Sequence, residues 1–390
     1  MYPDLSYLFH DLFNTPYDNW TSIFKTFGLL LALTFVVAAG VVYLELKRKE
    51  EEGILKPVKK IRKAQTSIDI TSLLVNVLIG FIIGFKLIYI IQEFDAFMVN
   101  GAGVVFSGKG SVGGGIIFGL LYGVYYYWNW NRKKDTFKKS VETLVHPYEK
   151  TGDIIVVAAI SGIVGARLFS ILENLDSFLQ DPMGQLFSGS GLTIYGGLIL
   201  AFIVVYYYVK KWGIPPIHMM DIAGLAIIIG YGVGRLGCHF SGDGDWGIVN
   251  EVAKPAWFFL PDWLWVYDYP HNVAESGVLI EGCDAKYCQR LDPGVYPTAL
   301  WESILSFLIF IVLWVLRKRI KIAGVLFFIY MIFNGFERFF IESIRVNPKY
   351  DIVGLNWSQA QYISLGLILG GIAGVVFLYM RNKTSKVPAK

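Results

Sequence analysis

Charge is scarce in this chain, with only 17% of its 390 residues being Asp, Glu, Lys or Arg. Soluble domains have about a quarter of their residues charged, so the composition excludes an ordinary cytosolic enzyme. Cysteine is scarcer still, and three residues are too few for a scaffold held together by disulfides. The chain also lacks a P-loop, an HExxH pattern and a Cys/His metal set, so we expect no metal and no cofactor.

Apolar and aromatic side chains are abundant instead. Hydrophobic residues make up 54% of the chain, aromatic residues make up 16%, and the mean hydropathy is +0.49. Disorder and a collagen-like fold are thereby excluded. Aromatic residues are enriched where a bilayer meets water, and the 41 glycines allow helices to approach closely within it. The composition therefore predicts a membrane protein.

Nine stretches are apolar enough to cross a bilayer as helices, which takes about 20 residues each. They are roughly 24–46, 68–92, 112–129, 153–173, 192–209, 217–238, 297–316, 322–344 and 357–380. Alternate connections between them hold 24 of the 35 Lys and Arg residues. Because basic loops stay in the cytoplasm, we expect the N-terminus outside and the C-terminus inside. The expected fold class is an all-α polytopic membrane protein of about nine transmembrane helices with a small periplasmic cap.

Two segments beyond the spans are expected on the outer face. Residues 1–23 have neither a basic region nor a small-residue cleavage site, so they predict an aromatic interfacial segment rather than a removed signal peptide. Residues 248–295, rich in Trp, Pro and Asp, predict the cap. Cys283 and Cys288 lie in this loop, where they form either a disulfide or two free thiols.

The chain contains an internal repeat. Shifted by 81 residues, 82–127 superposes on 163–208 without a gap, and 16 of the 46 positions are identical. The matches include a Phe-Ser-Gly run in the loop of each copy, which indicates a duplication. Both copies begin and end on the same sides of the membrane, so the predicted repeat is parallel.

The two copies differ in their polar side chains. The first has Lys86 and Gly114 where the second has Arg167 and Tyr195. Since the second keeps a guanidinium and a phenol, we expect the first copy to be structural. The chain then divides into an outer interfacial segment (1–23), the first transmembrane helix with its cytoplasmic loop (24–67), the extra repeat copy (68–150), a core with an arginine signature (151–247), the periplasmic cap (248–295), the C-terminal transmembrane helices (296–380) and a cytoplasmic tail (381–390).

Ionisable side chains inside a span are costly unless they are paired, so they are functional candidates. The densest cluster lies at the end of the sixth stretch, where Arg235, Cys238 and His239 share one helix face. Glycines then break the helix and present Asp243 and Asp245 at the outer interface. The alternative is that these residues only cap the helix and extend toward water.

A second cluster lies in the eighth stretch. Arg338, Glu342 and Arg345 are spaced by four and three residues and share one face. The alternative is a structural ion pair with a flanking arginine that sets topology. Arg167 is a third buried cation, whereas Asp221 is a lone acid that we expect to pair or to cap a helix rather than to catalyse.

Several arginines that face a shared interior require an anion. A guanidinium binds phosphate through a planar, often bidentate fork and stays charged when it is desolvated. The anion available inside a bilayer is a phospholipid head group. The arginines therefore predict a phospholipid-binding site.

The motifs around these charges resemble those of the bacterial phosphatidylglycerol–prolipoprotein diacylglyceryl transferase family. GRLGCHFSGDGDWG resembles the family's GRxGNF signature, and further motifs follow in the family's order over roughly 24–46 and 150–380. They are VGARLF, LTIYGGLI, DIAGLA, YPTALWES and FERFFIESIR. The resemblance implies transfer of the diacylglyceryl group of phosphatidylglycerol to the lipobox cysteine of a prolipoprotein. This reaction forms a thioether and releases glycerol phosphate.

The resemblance also implies roles for individual residues. Arg235 and Arg338 match the family's essential arginines, Asp243 stands for its Glu, and Glu342 matches the helix partner of Arg338. The residues expected to bind substrate are Arg167, Gly196, Gly197, Arg235, Asp243 and Glu342.

Departures from the family concern its histidines. Tyr195 and Tyr296 stand where the family has His, and Cys238-His239 stands where it has Asn, so the family's histidine base cannot be transferred unchanged. We expect His239 to accept the thiol proton, directly or through an acid, and Tyr195 to orient the head group. The expected catalytic residues are Arg235, Arg338, His239 and Tyr195.

Two other functions fit parts of the pattern. Repeats, broken helices and buried charges also occur in anion transporters and channels. The replaced histidines are compatible with a catalytically inactive, phospholipid-binding scaffold. For the transferase, the expected partners are phosphatidylglycerol, the lipobox segment and the membrane, with no nucleic acid. The expected location is the bacterial inner membrane.

Overall fold

The computed structural model describes residues 1–62, 68–99, 101–105, 107–137, 141–182, 193–352 and 354–384, and these residues are mostly helical. The long helices are α2 (Thr26–Glu51), α3 (Ile70–Gln92), α6 (Val112–Phe137), α7 (Thr151–Glu173), α9 (Ile194–Lys211), α10 (Pro216–Ser241), α11 (Thr298–Leu316), α12 (Val325–Glu342) and α13 (Gln359–Thr384). The short helices are α1 (Leu5–Phe13), α4 (Phe94–Val99), α5 (Gly101–Val105) and α8 (Leu175–Gln180).

Six helical segments of the described ranges are long and apolar enough to cross a membrane. They are Thr26–Glu51, Ile70–Gln92, Pro147–Glu173, Pro216–Ser241, Thr298–Leu316 and Gln359–Lys383. The predicted all-α polytopic class is confirmed at this level, and the chain is a multi-pass membrane protein. The count of nine spans and their orientation stay predictions.

The strands form three antiparallel pairs outside the long helices. They are β1 (Val58–Arg62) with β2 (Val141–Val145), β3 (Val278–Leu279) with β4 (Gln289–Arg290), and β5 (Lys349–Ile352) with β6 (Leu355–Ser358). All six strands lie in connections between helices, and β1/β2 joins two different connections. The helices therefore build the core.

Helix α10 lies at the centre of the core, in contact with α2, α11 and α12. Pro216 opens it at a position where a missing N–H costs nothing, and Ile222, Leu225 and Ile228 are fully buried along it. Close packing needs small residues: a Cβ on Gly232 would lie 2.9 Å from the Phe307 ring. Helices α3, α6 and α7, by contrast, expose many large apolar side chains, as lipid-facing helices do.

The N-terminal segment packs onto the predicted cap at one end of the bundle, here called the N-terminal end. Tyr7 is buried, and its hydroxyl accepts a hydrogen bond from the Tyr287 N–H at 3.0 Å. Asp4 caps α1 and pairs with Lys25 at 2.6 Å. Beside Tyr287, Cys283 and Cys288 form a disulfide, which settles the two possibilities left open by the sequence.

The opposite end of the bundle gathers two of the basic connections. Strands β1 and β2 bring 47–66 and 129–150 together, as expected if both lie on the same side of the membrane. Asp221 accepts hydrogen bonds from the Gly324 and Phe327 N–H groups at 2.9 and 3.1 Å. The prediction that Asp221 caps a helix is therefore confirmed.

The two repeat copies form the helix pairs α3/α6 and α7/α9. In each pair a glycine packs on the partner's backbone: a Cβ on Gly84 would lie 2.3 Å from the Gly114 carbonyl oxygen, and one on Gly165 would lie 2.4 Å from that of Gly196. The predicted duplication is thus present in the packing. Its small residues allow this close approach.

The gapless register of the repeat is wrong for the second helix of each copy. The Ser111 N–H donates to the Phe85 carbonyl at 2.9 Å, and the Thr193 N–H donates to the Ala166 carbonyl at 3.2 Å. The acceptors are 81 residues apart and the donors 82, so the second copy has one additional residue in its loop. The counterpart of Tyr195 is therefore Gly113, and that of Gly196 is Gly114.

Candidate active site

Three arginines and three carboxylates meet at the N-terminal end of the bundle. We call them the arginine cluster: Arg235 of α10, Arg338 of α12, Arg345 just beyond α12, Asp245 just beyond α10, Glu302 of α11 and Glu342 of α12. The formal charges of these six side chains sum to zero. Ions buried together in this way must be paired closely, because desolvation of each is costly.

Glu302 joins the three arginines. Its side chain is 0% exposed, and its carboxylate lies 2.8 Å from Arg235 Nε, 2.7 Å from Arg338 Nη1 and 3.4 Å from Arg345 Nη1. An unpaired buried carboxylate in a span is unfavourable, so the three guanidinium groups and Glu302 hold one another in place. The sequence analysis missed Glu302, although a single acid inside an otherwise apolar span was the signal that identifies it.

Asp245 accepts from two of the same arginines, Arg235 and Arg345. Helix α10 ends at Gly242, whose φ of 64° is the left-handed conformation that glycine adopts readily. The chain turns there and brings Asp245 back over the helix end. Burial raises the pKa of Asp245, but the charges of Arg235 and Arg345 outweigh it and hold that pKa below its ordinary value.

Asp243, the predicted acid of the signature, lies beside Asp245 without holding Arg235. Its carboxylate accepts from the Asp245 N–H at 3.2 Å. Burial raises its pKa, and the negative charge of Asp245 raises it further, although a hydrogen bond from Cys238 opposes this. In the described residues the acid that pairs with Arg235 in this segment is Asp245, because the tight glycine turn brings the acid two residues after Asp243 onto the guanidinium.

Arg338 has its predicted partner and one that was not predicted. Its Nη2 lies 3.3 Å from Glu342 Oε2 one helical turn later, as expected, while Nη1 donates to Glu302. Arg345, which the sequence placed on one helix face with Arg338 and Glu342, belongs to the same group. The Arg338 side chain is 23% exposed, against 11% for Arg235 and 8% for Arg345, so Arg338 is the most accessible of the three.

Glu337 is a further acid that the sequence analysis did not identify. It is buried, and within the described residues neither of its carboxylate oxygens has a hydrogen-bond partner. The charges of Arg338, Arg235 and Arg345 act on it electrostatically. It precedes Arg338 in the chain. As with Glu302, the sequence feature that could have identified it is an acidic residue inside a predicted span.

His239 faces the cap rather than the arginine cluster. It is buried, with Nδ1 3.1 Å from the Tyr269 hydroxyl and its ring near that of Tyr267. Burial raises the pKa of Tyr267 to about 12 and also raises that of Tyr269, so both phenols stay protonated at neutral pH. Within the described residues, no hydrogen bond joins His239 to the arginine cluster.

Tyr195 lies at the start of α9, half exposed, within electrostatic range of Arg338 and Glu342. The structure thus brings this predicted residue toward the arginine cluster from the second repeat copy. Gly196 and Gly197, expected to bind substrate, have a packing reason to be small: a Cβ on Gly197 would lie 2.8 Å from the Gly162 carbonyl oxygen. Arg167 is half-buried on α7.

Comparison with known proteins gives one consistent result. The family model described as prolipoprotein diacylglyceryl transferase matches residues 116–377. That match includes the whole arginine cluster and begins inside α6, so it leaves α3 outside. It does not include 24–46, which the motif resemblance covered, and it begins before residue 150, where the second part of that resemblance starts.

Curated relatives agree with the family model. A protein of Finegoldia magna is 33% identical over 223 residues, which are 56% of this chain and 75% of the relative. Proteins of Clostridioides difficile strain 630 and Clostridium botulinum strain Hall are 31% and 30% identical over 241 residues, covering 60% and 61% of this chain and 82% and 83% of the relatives. All three are named phosphatidylglycerol–prolipoprotein diacylglyceryl transferase.

Proposed function

Since this chain belongs to the prolipoprotein diacylglyceryl transferase family and is a transferase, we propose that it moves the diacylglyceryl group of phosphatidylglycerol to the lipobox cysteine of prolipoproteins. The observation that carries the proposal is the arginine cluster. Its three guanidinium groups lie at the ends of apolar helices, beside the cap, and in this proposal that level is the depth of a phospholipid head group. The proposed location is the bacterial inner membrane, with this end of the bundle outside.

The exposure of Arg338 supports it as the arginine that contacts the phosphate. The cluster is neutral without substrate, so an entering phosphodiester must compete with a carboxylate for a guanidinium. Arg235 is held by both Glu302 and Asp245, whereas Arg338 is the most exposed and has Tyr195 nearby. In this account Arg338 binds the phosphate with Tyr195, and Arg235 and Arg345 position Glu302 and supply positive charge behind it. Arg167, Gly196 and Gly197 bind the lipid from the α7/α9 pair, and Asp243 and Glu342 position the arginines from either side.

The reaction requires stabilisation of the negative charge that develops on the leaving phosphate oxygen. The cysteine thiolate attacks the glycerol carbon that bears the phosphate, a C–S bond forms, and the C–O bond to the phosphate breaks. Glycerol phosphate leaves with the electron pair and one more negative charge than the phosphate had in the lipid. Guanidinium groups aimed at that oxygen stabilise the charge as it develops, and removal of one such donor costs about 2.7–4 kcal/mol.

The thiol proton must leave before or during the attack. A thiol of pKa about 8.5 loses it readily beside guanidinium groups. His239 is the proposed acceptor, and Tyr195 is proposed to orient the head group. Arg338 acts electrostatically on Tyr195, whereas His239 lies against Tyr269 of the cap.

The proposal is tested by reconstituting the full chain in vesicles with labelled phosphatidylglycerol and a lipobox peptide. We expect release of glycerol phosphate and a thioether-linked peptide, and neither product when the peptide cysteine is replaced by serine. Flux of a soluble anion without lipid consumption would instead identify a transporter. Binding of phosphatidylglycerol without turnover would identify an inactive scaffold.

A further inference from the structure

The opposite end of the bundle holds another group of buried charges, arranged around a cavity of about 390 Å³. We call it the lysine cavity. It lies between the end of α2, the start of α10 and the connection from α11 to α12. Its ionisable lining residues are Arg48, Lys49, Glu52, His218, Asp221, Arg317, Lys318 and Lys321.

The arginines of this cavity are neutralised by acids. Glu45, itself fully buried beneath the cavity, accepts from Arg48 and from Arg317 at 2.7 Å each. Glu52 accepts from Arg48 at 2.7 and 2.8 Å. The two arginines are therefore held in place with their charge balanced.

The remaining acid is also occupied. Both carboxylate oxygens of Asp221 accept from backbone N–H groups at the start of α12. In the part of the chain that the structure describes, neither acid that lines the cavity forms an ion pair within 4.0 Å with a lysine, although Asp221 and Glu52 act on Lys49 electrostatically.

The lysines have no such partners. Lys49 is 6% exposed, and across the described ranges no hydrogen bond and no acid within 4.0 Å reaches its ammonium group. Lys318 and Lys321, on the exposed rim, also lack an acid within that distance in the described ranges. His218 Nδ1 is a further buried atom without a partner there. Even with Glu45 included, five cationic side chains face three carboxylates around this cavity. The excess positive charge favours an anion.

We propose that the lysine cavity binds a phosphate group, that of an anionic phospholipid head group or a free phosphate. Three lysines converge on a volume that is large enough for a small ligand, and basic pockets between membrane helices suit anionic head groups. The cavity lies at the other end of α10, α11 and α12 from the arginine cluster. The proposal is therefore independent of the transferase reaction.

The test compares lipid retention by the full chain and by two variants. Purified protein is exchanged into nanodiscs of phosphatidylcholine and phosphatidylglycerol, and lipids that stay bound are counted by native mass spectrometry. We expect the wild type to retain one more phosphatidylglycerol than the variant Lys49→Gln/Lys318→Gln/Lys321→Gln. The matched control is Lys47→Gln, on the same helix but exposed and outside the cavity lining, which we expect to behave as the wild type.

A thermal shift in lipid-free detergent distinguishes the two sources of the phosphate. Stabilisation of the wild type by inorganic phosphate identifies a free-phosphate site, and stabilisation by phosphatidylglycerol alone identifies a lipid site. Each single Lys→Gln change on the exposed rim, at Lys318 or Lys321, raises the ligand concentration that gives half of the thermal shift about fivefold. The proposal is overturned if the triple variant and Lys47→Gln retain the same lipids and respond equally to both ligands, while peptide lipidation by all of them is unchanged.

Discussion

Both ends of the helix bundle contain a buried glutamate paired with arginines, but the balance of charge around it differs. At each end a fully buried glutamate joins arginines from different helices: Glu302 with Arg235, Arg338 and Arg345, and Glu45 with Arg48 and Arg317. At the N-terminal end, three acids balance three arginines, and substrate must compete for a guanidinium. At the opposite end the arginines are balanced and the lysines are not, so an anion can enter without displacing an acid.

This difference distinguishes residues that position the arginines from residues that bind an anion. A buried glutamate between arginines fixes helix ends and is neither a base nor a ligand. We therefore propose that anions bind to the basic groups with spare N–H donors, which are the exposed edge of Arg338 at one end and the lysines at the other.

The largest expected effect is the loss of either buried glutamate. Glu302→Gln leaves three guanidinium groups short of a charge, and removing one partner of a buried ion pair costs about 3–5 kcal/mol. We expect a comparable loss for Glu45→Gln, measured as the shift in the thermal unfolding midpoint in detergent.

Activity divides the two glutamate variants. Per folded molecule, we expect Glu302→Gln to lose most lipidation activity and Glu45→Gln to keep it. Equal activity loss in both variants would show that the two ends are not functionally distinct.

The second prediction concerns pH at the N-terminal end. Asp245 has a lowered pKa in the folded state, so its stabilising contribution is fully present above the ordinary Asp pKa and is lost as pH falls through the folded value. Asp243 has a raised pKa, so its ionisation opposes folding, and stability increases as pH falls through its folded value.

The comparison uses two isosteric variants. Asp245→Asn removes the loss of unfolding free energy on the acid side of the plot against pH. Asp243→Asn removes the fall in unfolding free energy that occurs as pH rises through the folded pKa of Asp243. Identical profiles for the two variants would contradict the assignment of Asp245, rather than Asp243, to Arg235.

The smallest effect is expected at Tyr195. Tyr195→Phe removes one hydroxyl near Arg338 and the proposed phosphate, and a hydrogen bond to a charged group contributes about 1.5–3 kcal/mol. We expect a rise in the KM for phosphatidylglycerol of roughly tenfold or more, measured by glycerol phosphate release. His239→Gln serves as the comparison, because full activity there with an inactive Tyr195→Phe would assign the thiol proton to Tyr195.

The first repeat copy offers the matched control for Tyr195. Its counterpart Gly113 has open space around a Cβ, with no heavy atom within 4 Å, so it is the position of the first copy at which to introduce a tyrosine as Gly113→Tyr. We expect this variant to be silent in the same assay. A change in KM would contradict the structural role of the first copy.

Much of this architecture could be predicted from the sequence because a membrane helix is recognisable from the composition of one short stretch. Apolar stretches, basic loops and a duplicated pattern are properties of short segments, and so was the resemblance that singled out Arg235 and Arg338. The pairing of Glu342 with Arg338 could also be predicted, since the two residues are one helical turn apart.

The rest depended on contacts between helices. Nothing local links Glu302 to arginines on α10 and α12, and only the turn at Gly242 decides that Asp245 rather than Asp243 meets Arg235. The spacing of His239 and Arg235 predicts one shared helix face, yet the His239 ring lies against Tyr269 of the cap. The one-residue shift between the repeat copies arises in a loop, where a gapless comparison of helices cannot detect it.

The most direct test of the central claim is the rate of peptide lipidation by Arg338→Gln, with Arg319→Gln in an exposed loop at the opposite end as the control. If Arg338 binds the phosphate, its replacement lowers kcat/KM about 10²–10³-fold while the protein stays folded, and Arg338→Lys recovers only part of the loss. The control keeps the wild-type rate. A wild-type rate for folded Arg338→Gln would contradict the account.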